Sequence, residues 1–90
     1  MVLLISYDLN KPGQDYSSLY DELKSYGTWW HHLDSTWLIQ TNETPSQCSD
    51  RLKKHMDDND NLLVIEVCKN YQGWLPEKAW DWLRERNYRC

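Results

Sequence analysis

The sequence predicts one small α+β domain, and three observations carry that prediction. Two short apolar runs rich in β-formers, Val2–Tyr7 and Leu62–Val67, read as strands. Between and beyond them lie segments whose apolar residues recur at helical spacing. The 90 residues suffice for one domain and are too few for two.

The elements follow in order. Val2–Tyr7 runs into Asp8–Leu9–Asn10–Lys11–Pro12–Gly13, a strand followed by a turn. Tyr16, Leu19, Tyr20, Leu23 and Tyr26 then mark one face of a helix, with Asp15 as its N-cap and Gly27 at its stop. Thr28–Leu33 and Thr36–Thr41 flank Asp34–Ser35 as a tight hairpin. Thr44–Pro45–Ser46–Gln47 is a capping box with proline at the first helical position. The helix it opens carries Cys48, Leu52 and Met56 on a narrow apolar face. Asp57–Asn61 is a polar turn before the last strand. Residues 71–75 form an aromatic loop, and Pro76 opens a helix to about Arg86.

The order is β-α-β-β-α-β with an extra C-terminal helix. Two split β-α-β halves in that order form a ferredoxin-like antiparallel sheet with the first strand in its interior. The core spans 2–67, and the C-terminal loop and helix span 71–86. Alternation puts Leu3, Ile5 and Tyr7 under the helices, together with Leu63, Ile65 and Val67. The other face then carries Val2, Leu4, Ser6 and Asp8 with Leu62, Val64 and Glu66. Its apolar centre calls for cover, and a second subunit would supply it.

Composition narrows the function. The net charge of −4 argues against coating duplex nucleic acid and leaves a nucleotide or single-strand site open. Six Trp and six Tyr, with no Phe, suit interfaces and half-buried pockets as well as a small core. The three cysteines, Cys48, Cys68 and Cys90, fit no zinc or redox spacing, so reduced thiols and a cytoplasmic setting are expected. The N-terminal apolar run is too short for a signal peptide or a membrane span.

Several groups of residues carry candidate chemistry. Asp8 ends an interior strand beside Lys11–Pro12–Gly13 and should approach Ser35 and Thr36, with Asp60 and Asn61 at the same rim. Glu66 should sit opposite Leu4, roughly 13 Å from Asp8 at strand rise. Two copies of Asp8 meeting across a two-fold axis would bind a divalent cation or share a proton, whereas a lone Asp after a strand caps the following turn. In Trp29–Trp30–His31–His32, strand alternation sends Trp29 and His31 one way and Trp30 and His32 the other. The adjacent histidines therefore cannot share a metal, but a Trp–His pair suits stacking on a base and bonding to it. The plainer reading makes one Trp core and the histidines rim. Tyr71, Trp74, Trp80 and Trp82 form a third group, in which Trp80 shares a helix face with Leu83 and Trp82 does not. The acidic run 57–61 lacks the central Gly and closing Glu of a calcium loop.

An apolar first strand ending in Tyr7–Asp8, on this element order and chain length, resembles the small CRISPR-associated Cas-two proteins and the VapD-type toxins. The longer signature Ser6–Tyr7–Asp8–Leu9–Asn10–Lys11–Pro12–Gly13, with Trp29–Trp30–His31 and Ser35–Thr36–Trp37–Leu38, is more similar to a Cas-two-like group sometimes labelled SinR-like. The resemblance covers roughly residues 2–67. It implies a ferredoxin-like homodimer that binds a nucleotide or nucleic acid. It also implies metal-dependent phosphodiester cleavage through Asp8 with Mg²⁺ or Mn²⁺, as some members are described to perform. On that reading Ser35, Thr36, Trp29, Trp30, His31 and Lys11 bind the ligand. Two features depart from the family: the acidic charge, and a C-terminal helix where Cas-two proteins often add a strand. The alternative is a non-catalytic defence or counter-defence module that sequesters a nucleotide signal or blocks a protein partner.

Overall fold

The computed structural model covers residues 1–90. Its elements are β1 (Val2–Asp8), α1 (Ser17–Lys24), β2 (Trp29–Leu33), β3 (Thr36–Gln40), α2 (Pro45–Lys53), β4 (Asn61–Val67) and α3 (Glu77–Arg84). The four strands form one antiparallel sheet in the order β2-β3-β1-β4, with β1 in its interior. This small α+β architecture, an open four-stranded sheet with three helices, is compatible with a ferredoxin-like type.

Local chemistry accounts for the ends of the elements. Thr44 Oγ1 accepts from the Gln47 N–H at 3.2 Å, and the Thr44 N–H donates back to Gln47 Oε1 at 2.9 Å, closing the capping box. The N-cap of α1 is Tyr16 rather than the expected Asp15; Asp15 stands one residue earlier and its carboxylate accepts from the Ser17 N–H at 2.9 Å, a bond that holds its carboxyl below the usual range. Gly27 takes a φ of 84° just past α1, a left-handed turn that a side chain would oppose. Pro76 precedes α3 as its cap residue.

The sheet is covered on both faces. On one, α1 and α2 bury Leu3, Ile5, Tyr7, Tyr16, Leu19, Leu23, Trp37, Ile39, Cys48 and Leu52. On the other, α3 packs Ala79 and Leu83 against Val2, Trp30 and Leu38. The chain's own third helix thus covers part of the face that the sequence assigned to a second subunit. Leu33, Leu63 and Ile65 remain exposed.

The face assignment of β4 is corrected. Val2 lies opposite Val67, Leu3 opposite Glu66 and Ile5 opposite Val64. Directly opposed residues share a face. Leu62, Val64 and Glu66 therefore lie on the α1–α2 face, and Leu63, Ile65 and Val67 on the α3 face, the reverse of the expectation. Both faces of β4 are apolar, so alternation alone did not decide between them, and one residue of register exchanges all of them.

The thiols are also corrected. Cys68 and Cys90 form a disulfide across a sequence separation of 22, and Cys48 alone is free and buried. The expected reduced thiols no longer support a cytoplasmic setting. No helix is long and apolar enough to cross a membrane. The disulfide works with a bidentate pair in which Arg89 donates from Nε and Nη2 to Glu66, both at 3.1 Å. Together they tie the C-terminal segment to the end of β4.

Candidate aromatic groove and the Asp8 rim

The residues singled out in the sequence separate into two places. Trp29 and His31 leave the edge strand β2 toward the α1–α2 face. There they meet Trp37, which alternation on β3 directs the same way. The His31 ring stacks on Trp37 at 4.1 Å between centroids and 8° between planes. Trp29 lies 5.3 Å from the same indole, tilted by 47°. Tyr20 on α1 stacks on it from farther off, at 6.4 Å and 15°. Lys24, one helical turn after Tyr20, holds its ammonium 5.7 Å from the Trp29 ring. These five residues line an open groove of about 410 Å³.

Buried bonds fix the platform. The Trp37 indole N–H donates to the Tyr7 hydroxyl at 3.0 Å, and Trp37 is essentially inaccessible. Burial pushes the Tyr7 phenol up, so it stays a neutral hydroxyl. His31 Nδ1 lies 3.0 Å from the Thr36 carbonyl oxygen. A carbonyl only accepts, so Nδ1 carries a proton, and Nε2 makes no hydrogen bond within the chain. Trp29 is 38% exposed. The groove therefore offers a rigid aromatic floor, one partly free indole, one ring nitrogen and one cation.

Asp8 is elsewhere. It leaves β1 on the α3 face, two strands from β2, opposite Asn61. It is exposed at a shallow depression of about 180 Å³ lined by Ser6, Tyr7, Asp8, Asn61, Leu62 and Leu63. Ser35 is near this rim, since its carbonyl accepts the Tyr7 N–H at 3.1 Å. Asp60 is engaged away from Asp8. It accepts from the Asn10 N–H, the Tyr16 hydroxyl and the Asp57 N–H at 2.7, 2.8 and 2.7 Å. Burial works against its charge, but these donors prevail and hold the carboxyl below its ordinary value. Glu66, bound to Arg89, sits across from Leu3 rather than Leu4. No group of three or more His, Cys, Asp or Glu side chains is placed to hold a metal ion. A Mg²⁺ or Mn²⁺ ion at Asp8 would draw its other ligands from water, a substrate phosphate or a second copy.

The remaining candidates have structural work. Trp30 is buried on the α3 face and its indole N–H donates to the Ala79 carbonyl at 3.2 Å, which docks the helix. Lys11 pairs with Asp57 at 3.3 Å. Thr36 holds His31 through its backbone carbonyl. Asp8, Trp29 and His31 are therefore not one site, because the sheet lies between them. Sequence reasoning missed Tyr20, Lys24 and Trp37 as groove residues. Two signals pointed to them: the i, i+4 spacing of Tyr20 and Lys24, and the two-residue hairpin that lays Trp37 beside His31. No protein-family model, curated protein or solved structure matches this chain, so its own geometry is the ground for assigning the site.

Proposed function

We propose that this chain is a small binding module that stacks the base of a nucleotide or short single-stranded segment in the groove of Tyr20, Lys24, Trp29, His31 and Trp37. The observation that carries the reading is the partly exposed Trp29 beside a His31 ring locked flat on Trp37. Such a surface takes the π-face of any base, while Lys24 meets a phosphate and His31 Nε2 hydrogen-bonds the base edge. A single base or nucleotide fits about 410 Å³. The net charge of −4 favours a small or single-stranded ligand over duplex. The likeness of Ser6–Gly13 and Trp29–His31 to the Cas-two-like group agrees with a nucleotide ligand. It adds metal-dependent cleavage at Asp8 as a separate activity on the opposite face.

Calorimetry with mononucleotides and short RNA and DNA oligonucleotides tests the binding. Trp29→Ala should weaken it roughly tenfold or more, from a stacking contribution of about 1–3 kcal/mol per base. Lys24→Ala should weaken it less and flatten its salt dependence. Absence of binding by the whole panel overturns the reading. Incubation with Mg²⁺ or Mn²⁺, wild type against Asp8→Ala, separates a binder from a phosphodiesterase: ligand bound and recovered intact by both proteins marks a binder.

A further inference from the structure

The two edges of the sheet are unlike. β2 has five residues and a register shift between Trp30 and Leu33, which breaks its outer row of peptide groups. β4 has seven regularly paired residues, Asn-Leu-Leu-Val-Ile-Glu-Val, with no proline, glycine, lysine or bulge. A long, regular, apolar edge is a template for another strand, and proteins usually blunt such an edge.

The direction of the β4 peptide groups follows from the ladder. The Tyr7 N–H donates to Ser35 O, and Thr41 donates to Met1 O, so the odd residues of β1 bond toward β3. The even residues then bond toward β4, to their partners Asn61, Leu63, Ile65 and Val67. The peptide groups of Leu62, Val64 and Glu66 consequently point away from the sheet.

We propose that β4 pairs antiparallel with β4 of a second copy about a two-fold axis at Val64, joining two sheets into one of eight strands. The strand is self-complementary in that register. Val64 meets Val64, and Leu62 meets Glu66 of the partner subunit, as hydrogen-bonded pairs using the outward groups. Leu63 then meets Ile65 of the partner subunit as the closer, non-bonded pair on the α3 face. These side chains are 56% and 45% exposed in one copy, and pairing clusters four of them. Charge agrees with this occupant. The axis brings the Lys69 end of one β4 to the Asp57–Asp60 turn of the other. Lys69 and Asp58 are both exposed and take no part in an ion pair within the chain. The isologous contact closes on itself and leaves the β2 edge and the aromatic groove free.

Sedimentation of the purified chain over a concentration series tests this. Wild type should reach twice the 10.9 kDa of one chain. Val64→Pro removes an outward donor together with part of the Val64 packing on the α1–α2 core, and should sediment as a single chain with its circular dichroism intact. Leu63→Lys alters a side chain already in solvent and should raise the dissociation constant at least tenfold. Lys69→Asp and Asp58→Lys should each weaken the dimer, and the double variant should restore it. A wild type that stays at 10.9 kDa at every concentration overturns the proposal. So does a folded Val64→Pro protein that still dimerises. Should Val64→Pro fail to fold, the charge swap decides: single variants that dimerise as wild type does overturn edge pairing.

Discussion

The two faces of the sheet are held by different means. On the α1–α2 face a ten-residue cluster whose largest member is Trp37 is assembled by packing, and a buried hydrogen bond from Trp37 to Tyr7 completes it. Two helices of eight and nine residues cover that face, whereas on the α3 face the buried cluster has five residues under a single helix of eight. An isolated helix of that length is marginal in water. It is retained by the Trp30 to Ala79 hydrogen bond, the Arg89–Glu66 pair and the Cys68–Cys90 disulfide. The contrast teaches that the face under two helices gathers the larger buried cluster, while the face under one helix leans more heavily on closures from outside its apolar spacing. The candidate groove lies on the better packed face, where the His31 and Tyr20 rings stack on Trp37.

The contrast is most directly broken by Trp37→Ala. Removing this indole should cost about 4 kcal/mol in chemical denaturation and release His31 from its stack. A loss under about 1 kcal/mol would show that the α1–α2 face does not depend on Trp37. Cys90→Ser should cost roughly 3 kcal/mol, the expected worth of closing a loop of this size. Hydrogen exchange sharpens the comparison here. The α3 amides should open locally in Cys90→Ser while those of Leu3 and Ile5 still report global unfolding, and uniform loss of protection would erase the distinction between faces.

A smaller effect comes from the polar seam between α1 and α2. Arg51 bonds Glu22, donates to Glu43 at 3.0 Å and to Ser25 at 2.8 Å, and lies 4.2 Å over the Tyr26 ring. Arg51→Ala should cost about 2 kcal/mol at neutral pH. The hydrogen bond from Arg51 holds the Glu22 carboxyl below its ordinary range. The stabilisation from a lowered folded-state carboxyl is complete above its unfolded value and is lost as pH falls through the folded one. The gap between wild type and Arg51→Ala should therefore narrow as pH drops below about 4. A gap constant from pH 7 to 3 would remove the ion pair from the account.

The smallest effect isolates the hairpin that joins β2 to β3 and touches neither face. Ser35 sits at a φ of 56°, which glycine adopts without strain. Ser35→Gly should raise stability by about 0.5 kcal/mol in thermal melts, and a decrease would mean that the turn is held by its side chain.

Much of this architecture was legible in the residues. The capping box at Thr44–Gln47, the Asp34–Ser35 turn, the Leu19 and Leu23 face of α1, and the opposite directions of Trp29 and Trp30 all follow from short-range spacing. Those rules act within a few residues, so a single chain records them. The candidate site was half legible: Trp29 and His31 were readable as a pair, but Trp37 and Lys24 join them only through the hairpin and the packing of α1. Tertiary structure alone decided three matters. It set the face of β4, where Leu62 and Val64 compete with Leu63 and Ile65 on nearly equal apolar terms. It joined Cys68 to Cys90, because a disulfide depends on Cα atoms brought to 4.9 Å across an intervening helix. And it placed Asp8 on the side of the sheet away from Trp29 and His31, since alternation fixes a residue's face within one strand while register fixes faces between strands.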